Sequence, residues 1–247
     1  MLVDAGGPVG GVNEAAEATS RFDVGEEVVS PYLWSRRIRR LDVIALSHAH
    51  SDHMGGMAAV MRSFKPRELW VGVDPDSEAY RELLAEAKEL GVVVRHLHAG
   101  DDVAWGGAAV KVLAPEAGYV NAGAPVNNDS LVMRVEYGKA SVLLEGDAEG
   151  PSERAMLARM TPVTLLKVGH HGSRTSTTPE FFAAAAPKDA VVSVGKGNTF
   201  GHPRFAVVER IGAAGTRLYR TDEFGLSTFL LGRDGGIREV LGAADSQ

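Results

Sequence analysis

The sequence predicts an α/β fold in which buried strands end at clusters of histidine and aspartate. The apolar run 41–46 is typical of a buried strand. The glycine pair 55–56 then precedes an apolar stretch, 57–61, that begins a helix. Residues 76–90 carry apolar side chains at helical spacing and are followed by another apolar run, 92–94. Open sheets of this class bind their ligands at the carboxyl ends of the strands, so the strand ends are where we look for a site.

A hairpin is predicted to begin the second half of the fold. The apolar runs 131–135 and 140–144 flank a turn at residues 138–139, of which the first is a glycine. No linker separates one part of the sequence from another. We therefore expect a single hydrolase domain over residues 1–247, with a loop at 9–20 and a frayed end at 242–247.

Composition and net charge limit the classes of protein and of binding partner that this chain can represent. A chain of 247 residues with 45% hydrophobic and 23% charged residues is ordinary for a soluble globular protein. No apolar run approaches the roughly 18–20 residues that span a bilayer, and no secretory signal is visible. Without cysteine, disulfides and thiolate ligands are excluded. The net charge of −6 excludes a broadly basic surface, so a nucleic acid partner would need local positive charge or bound metal ions. The compartment is not decided.

The densest cluster of metal-ligand side chains follows the first predicted strand. His48, His50, Asp52 and His53 fall within six residues, in a chain with eight histidines. Residues two apart on an extended segment point the same way, so His48 and His50 could hold one ion. Asp52 and His53 follow at the bend and could reach a second ion. Imidazole and carboxylate are standard ligands for Zn²⁺ and related metals, which favours a metal site over a surface loop that happens to be rich in histidine.

Two later strands also end at ligand-type side chains. Asp147 follows a glycine at the end of the run 140–144, and His170 and His171 follow the apolar run 165–168. Neighbours on an extended chain point oppositely, so only one of the two histidines is expected to bind metal, and His170 is preferred because it comes directly after the glycine.

The polar segment after these histidines has two interpretations. The hydroxyls of Ser173 and Thr175, with nearby backbone N–H groups, could bind an anion such as phosphate. The alternative is that they form the N-terminal capping region of a helix that starts near Pro179.

The pattern His48-x-His50-x-Asp52-His53 resembles the HxHxDH signature of the metallo-β-lactamase superfamily. The resemblance implies an αββα sandwich that carries one or two metals between two β-sheets. Asp147 matches the carboxylate that bridges two metals in that superfamily. Asp4 matches an aspartate at the end of the first inner strand, and we expect it to tie the adjacent loop. The strand that would precede it is absent from the sequence, so the first hairpin is expected to be incomplete.

Other motifs resemble a narrower family, the hydrolase domain of the ComEC-type DNA-uptake channel proteins. They are the segments 166–173, 193–195 with Asn198, 201–203 and 219–222. The resemblance implies a metal-dependent nuclease that acts on DNA, expected to be single-stranded, and that belongs with the membrane channel of a larger protein. Two other hypotheses stay open: a hydrolase of esters, lactones or thioesters, and a non-catalytic domain that only binds DNA or other partners.

The resemblance also implies a set of ligands for two divalent ions, Zn²⁺ or Mn²⁺. His48, His50 and Asp147 would hold one ion, and Asp52, His53, Asp147 and His170 the other. Many superfamily members supply a third histidine near the position of residues 127–129, where this chain has Asn127-Asn128-Asp129. Asn128 or Asp129 could complete the first site instead, and such oxygen-rich ligation leaves Mn²⁺ open.

Further residues complete the expected catalytic and substrate sites. The expected catalytic residues are Asp52, His202, His171 and Lys167. Of these, His202 or His171 would protonate the leaving oxygen. Contacts to phosphate are expected from Ser173, Thr175, Asn198 and Arg174, together with Lys167.

Overall fold

The structure is a computed structural model that describes residues 1–7 and 22–241. The chain divides into two units. The first contains residues 1–97 and 118–131, and the second contains residues 98–117 and the chain from residue 132 onward. The loop expected at 9–20 and the frayed end expected at 242–247 lie outside the described residues. The single-domain interpretation stays a prediction.

The first unit contains a parallel sheet with the strand order β1-β2-β3-β4. These strands are β1 (Leu2–Val3), β2 (Val43–Ala45), β3 (Glu68–Val71) and β4 (Val93–His96). Among the described residues, β1 pairs with β2 alone, in the register Leu2 to Ile44. The predicted strand 41–46 is confirmed as β2, and its three residues are fully buried, which explains why they are apolar without alternation.

The helices of the first unit bury their apolar faces in one core. A π-helical turn, Gly25–Val29, leads into α1 (Ser30–Ser35), and the others are α2 (Ser51–Met54), α3 (Met57–Phe64) and α4 (Glu78–Glu89). The Ser77 hydroxyl accepts the Tyr80 N–H and caps α4. Gly56 lies between two backbone segments, since a Cβ there would be 2.5 Å from the Ala5 carbonyl oxygen. The core includes Ile44, Leu46, Met57, Val60, Met61, Leu69, Tyr80 and Leu83.

The second unit contains a mixed sheet with the strand order β11-β10-β9-β8-β7-β6-β5. Neighbours from β5 to β8 are antiparallel, and neighbours from β8 to β11 are parallel. The strands are β5 (Asp102–Trp105), β6 (Ala108–Ala114), β7 (Val132–Tyr137), β8 (Ala140–Leu144), β9 (Leu165–Lys167), β10 (Asp189–Val192) and β11 (Arg217–Arg220). The predicted hairpin at 138–139 is confirmed as β7–β8. It does not begin this sheet, however, because the hairpin β5–β6 already pairs with β7.

The helices of the second unit pack on this sheet around a second core. They are α5 (Gly150–Met156), α6 (Pro179–Ala185), α7 (Phe205–Ala213) and α8 (Thr221–Phe224), and a separate antiparallel pair, β12 (Ser227–Leu231) and β13 (Ile237–Leu241), follows. The core includes Val132, Leu143, Met156, Leu166, Phe181, Ala190, Val207 and Ile211. In the described parts of the chain, no helix is long and apolar enough to cross a membrane.

Candidate metal centre

The first unit carries a histidine-rich loop directly after β2. The Nε2 atom of His48 lies 2.9 Å from the Nδ1 atom of His50. On its other side, Nε2 of His50 lies 3.0 Å from the carbonyl oxygen of Pro125. A carbonyl oxygen only accepts hydrogen bonds, so His50 donates through Nε2, and its Nδ1 lone pair faces His48 when the ring is neutral. The two rings therefore lie side by side, and their joint binding of one ion stays a prediction.

Asp4, which directly follows β1, holds the same loop. Its carboxylate is largely buried and accepts hydrogen bonds from the Ser47 N–H at 2.7 Å, from the Ser47 hydroxyl at 2.8 Å and from Nδ1 of His53 at 2.8 Å. Burial alone would raise the pKa of Asp4, but the hydrogen bonds and the charge of His53 hold it below its usual value. The expected loop-tying role of Asp4 is confirmed. Nε2 of His53, on the opposite side of the ring, lies 3.8 Å from the Asp52 carboxylate.

Asp147 and His171 form the corresponding pair in the second unit. Asp147 is 2% exposed and follows β8. Nδ1 of His171 lies 2.7 Å from the Ser193 carbonyl oxygen and must donate to it. The opposite ring nitrogen, Nε2, lies 3.5 Å from the Asp147 carboxylate. Two ligands of one tetrahedral ion, each about 2.1 Å from it, are about 3.4 Å apart, which agrees with this spacing.

The backbone at His170 and His171 differs from the sequence-based expectation. Both residues are left-handed, with φ of 45° and 53°, rather than extended. Neighbouring side chains therefore do not point oppositely: Nε2 of His170 also faces Asp147, at 4.0 Å, while its Nδ1 lies 3.3 Å from Glu149. The premise that these two residues lie on an extended chain was wrong. The preference for His170 as ligand stays a prediction, and His171 becomes an equal candidate.

The chemistry of these side chains fits a divalent metal. In His50, His53 and His171, one ring nitrogen donates to a carbonyl or carboxylate oxygen, which fixes the tautomer and leaves the other nitrogen as an electron-pair donor. Asp52 and His53 in the first unit, and Asp147 and His171 in the second, each offer a nitrogen or oxygen atom of the kind that divalent metals bind. Cysteine is absent from the sequence, so the donors are nitrogen and oxygen alone.

A buried pair of glutamates lies under the His170–His171 turn. Glu145 and Glu153 are both fully buried. Glu145 accepts the Gly169 N–H at 2.9 Å and the Thr177 hydroxyl at 3.0 Å, and Glu153 accepts the N–H groups of Thr177 and of the next residue. A Cβ at Gly169 would lie 2.5 Å from the Glu145 carboxyl carbon, so this position requires glycine. Burial, reinforced by the charge of Glu153, raises the pKa of Glu145 well above its usual value.

This raised pKa predicts a specific pH dependence of stability. The folded chain keeps a proton on Glu145 that the unfolded chain releases above about pH 4.3. The stability that this side chain contributes is therefore fully present below that pH and is lost as the pH rises through the raised pKa of the folded state. Glu145→Gln replaces the protonated carboxyl with a neutral group. We expect the free energy of unfolding of the variant minus that of the wild type to increase with pH, by up to about 1.4 kcal/mol per pH unit. Urea unfolding of EDTA-treated protein at pH 5, 6 and 7 measures this difference. A difference that does not change with pH would contradict the prediction.

The residues expected to contact phosphate are engaged within the chain. The hydroxyls of Ser173 and Thr175 lie 2.9 Å apart, and Thr175 donates to Glu149 at 2.8 Å. The negative charge of the Glu149 carboxylate beside Thr175 does not favour the binding of an anion there. Lys167 extends its ammonium toward the Gly146 carbonyl, 3.3 Å away, beside the loop that carries Asp147. Arg174 is exposed. The phosphate contacts of these four residues stay predictions.

Asn198 positions His202 through backbone hydrogen bonds. Its side-chain oxygen accepts the His202 N–H at 3.0 Å, and its side-chain nitrogen donates to the His202 carbonyl at 2.7 Å. His202 lies 5.7 Å from His170, measured between ring centroids. Burial first, and then the charges of His170 and Arg204, lower the pKa of His202. A neutral His202 is therefore favoured, which makes it a better proton acceptor or neutral hydrogen-bond donor than a resident general acid.

Asp129 has a structural role in the loop that replaces the third histidine. Its buried carboxylate accepts hydrogen bonds from the Tyr119 hydroxyl at 3.0 Å, from the Asn121 side chain at 2.9 Å and from the Val126 N–H at 2.9 Å. Both carboxylate oxygens are used, so these contacts do not favour Asp129 as the extra metal ligand. Ligation by Asn128 stays a prediction.

Several groups in these sites carry no sequence signal. The carbonyl oxygens of Pro125 and Ser193 orient His50 and His171, and a backbone oxygen is invisible to any residue pattern. Glu145 and Glu153 left a weak signal, since a charged residue directly after an apolar strand and another within the next helix suggest buried partners.

Comparison with known proteins assigns the family. The model of the metallo-β-lactamase superfamily matches residues 1–196, which is more than half of the chain. The chain belongs to the metallo-β-lactamase superfamily. The crystal structure of CmlA, a diiron β-hydroxylase from Streptomyces venezuelae, matches it with a TM-score of 0.51 at 16% identity, over 74% of this chain and 44% of that chain. The superfamily member YhfI from Bacillus subtilis matches with a TM-score of 0.50 at 13% identity, over 86% and 82% of the two chains. The metallo-β-lactamase fold predicted from the sequence is confirmed.

Two relatives found by sequence support the narrower resemblance. ComE operon protein 3 of Bacillus subtilis is 34% identical over 229 residues, which cover 91% of this chain and 29% of that protein. Competence protein ComA of Neisseria gonorrhoeae is 33% identical over 95% of this chain and 32% of that protein. The predicted similarity to competence proteins is therefore confirmed. The chain spans less than a third of the length of these two relatives.

Proposed function

We propose that this metallo-β-lactamase domain hydrolyses phosphodiester bonds in DNA with two bound divalent ions, Zn²⁺ or Mn²⁺. The observation that carries the proposal is the set of polarised histidines. His50, His53 and His171 each donate one ring N–H to a carbonyl or carboxylate oxygen that the fold brings close. Metal-binding histidines typically make this contact, which fixes the tautomer and the orientation of the ring.

The proposed ligand sets are those implied by the sequence, with His171 added. His48, His50 and Asp147 would hold one ion, and Asp52, His53, Asp147 and His171, joined or replaced by His170, the other. Bound divalent ions would lower the pKa of a water molecule and stabilise negative charge on a phosphoryl group. His202, with its lowered pKa, is suited to accept a proton or to donate a hydrogen bond to the phosphate. Lys167, close to Gly146, would keep the Asp147 loop in place.

DNA is the substrate that the relatives favour. Competence protein ComA carries a name that associates it with competence, and we extend this association to the present chain. ComE operon protein 3 and ComA are both much longer than this chain, so we further propose that this domain acts beside a membrane channel in a larger protein. Its net charge of −6 gives no general attraction for DNA, so binding would depend on the metal ions and on local cations such as Arg174.

A substrate panel tests the proposal. Purified chain, loaded with Mn²⁺ or Zn²⁺, is assayed on single-stranded DNA, on duplex DNA, and on ester, lactone and thioester substrates. We expect metal-dependent cleavage of single-stranded DNA, and loss of that cleavage in Asp52→Ala, which controls for a contaminating nuclease. Cleavage that persists in Asp52→Ala, or turnover of a carbonyl substrate alone, would refute the assignment. Stoichiometric binding of DNA without turnover would favour the non-catalytic hypothesis.

A further inference from the structure

We propose that the stacked rings of Phe200 and His202 form a binding site for one unpaired nucleobase next to the metal centre. This inference rests on the proposed function and adds the part of the substrate that the protein recognises. The two rings are nearly parallel, at 15°, with centroids 6.0 Å apart. Phe200 is 44% exposed, so part of its ring remains open to solvent, whereas His202 is half-buried.

The stacked rings of Phe200 and His202 lie next to His170, one of the proposed ligands in the same unit. His202 packs edge-on against His170, with centroids 5.7 Å apart, and His170 faces Asp147. Asn198 clamps the backbone of His202 on both sides, which holds the turn that presents Phe200. A phosphate near Asp147 would therefore have the exposed Phe200 ring two ring-to-ring contacts away from His170, in the same unit.

The open face of the Phe200 ring suits a nucleobase, which is a flat, apolar partner of matching size. Such stacking is tolerant of sequence, because every base has a π-face. In a duplex the bases already stack on one another, so the site would select unpaired strands.

Arg204 adds a local positive charge at this turn. Its guanidinium lies close to Gly201, and a Cβ placed at that glycine would be 3.2 Å from one of the Arg204 nitrogens. Gly201 has φ of 67°. The glycine thus allows the cation to lie against the backbone between Phe200 and His202, where it could attract the phosphate that joins a stacked base to its neighbour.

The experiment compares Phe200→Ala, Phe200→Trp and a control on two oligonucleotides. One is oligo(dT), and the other is the same strand with a single abasic position beside the cleaved bond. Tyr137→Ala is the matched control: Tyr137 is an exposed aromatic residue of the same unit, at the start of the β7–β8 turn, whereas Asp147 follows the other end of β8. Cleavage is measured as kcat and KM, with metal content by elemental analysis and thermal unfolding as checks on the fold.

We expect Phe200→Ala to raise KM for oligo(dT) between about 5-fold and 150-fold, the range that base–aromatic stacking accounts for. Phe200→Trp should retain wild-type KM, and Tyr137→Ala should change nothing. The wild type should lose a similar factor on the abasic strand, while Phe200→Ala should be insensitive to the missing base. Such coupling is not produced by a residue that only supports the turn.

Two outcomes overturn the inference and leave the proposed function intact: wild-type KM in Phe200→Ala, or an equal penalty for the abasic strand in both proteins. If the wild type cleaves no DNA, the proposed function fails instead. Fluorescence titration of the same two oligonucleotides then decides the inference, because equal dissociation constants for wild type and Phe200→Ala would overturn it.

Discussion

Asp147→Asn is expected to abolish metal-dependent hydrolysis, lowering kcat/KM by at least about a thousandfold. Asp147 is nearly inaccessible to solvent, and its carboxylate faces the Nε2 atoms of His171 and His170 at 3.5 and 4.0 Å. The 3.5 Å separation matches that of two ligands that share an ion. The amide keeps the size of the side chain and removes its charge, so a metal would lose its anionic ligand at this position.

Metal content separates this explanation from misfolding. Elemental analysis of purified Asp147→Asn should show less bound Zn²⁺ or Mn²⁺ than the wild type. Asp74→Asn is the control, because Asp74 also pairs with a histidine, His96, but on the exposed edge of the first unit. It should retain full metal content and activity. Normal metal content and activity in Asp147→Asn would remove Asp147 from the proposed centre.

Asp4→Asn is expected to lower metal affinity about 10- to 100-fold, although Asp4 is proposed to touch no metal. Both carboxylate oxygens accept hydrogen bonds, one from the Ser47 N–H and the other from the Ser47 hydroxyl and Nδ1 of His53. An amide must direct its own N–H groups at one of these donors. His53 would then lose its orientation and its fixed tautomer. The backbone does not oppose the change, since Asp4 has φ of 55° and asparagine tolerates the left-handed region.

Isothermal titration of metal-free protein with Zn²⁺ or Mn²⁺ measures this loss. The free energy of unfolding should also fall by about 1–3 kcal/mol, the cost of a buried donor left unsatisfied. Asp23→Asn provides a control in the same unit, because Asp23 accepts the Gly25 and Glu26 N–H groups through a single oxygen, which asparagine also supplies. Unchanged metal affinity in Asp4→Asn would show that His53 does not depend on Asp4 for its orientation.

The strands and the positions of the ligand-type residues were predictable because both depend on local sequence. The buried run of β2, the hairpin β7–β8 and the helix 78–89 each carry a pattern with the period of the element. The assignment of strands to sheets was less predictable. The hairpin β5–β6 joins β7 through pairing that no local pattern encodes, so the second sheet begins earlier than expected.

His170 and His171 show where local reasoning ended. Alternation of side chains holds for an extended chain, and this turn is left-handed at both residues. The conformation is held from outside the turn, by the glutamate pair that accepts the N–H groups of Gly169 and Thr177. Non-glycine residues adopt positive φ at a cost, and the surrounding hydrogen bonds offset it. No spacing rule within the segment contains those partners.

The sequence by itself determined which side chains are candidates for the chemistry: histidines and aspartates at strand ends, with no thiolate, in the order of the HxHxDH pattern. Only the tertiary structure decided which nitrogen of each ring donates to a neighbouring oxygen. The deciding oxygens belong to Pro125, Asp4 and Ser193, which are 75, 49 and 22 residues away from His50, His53 and His171. A tautomer is set by the hydrogen bond at the opposite ring nitrogen, and that partner is brought close by folding alone.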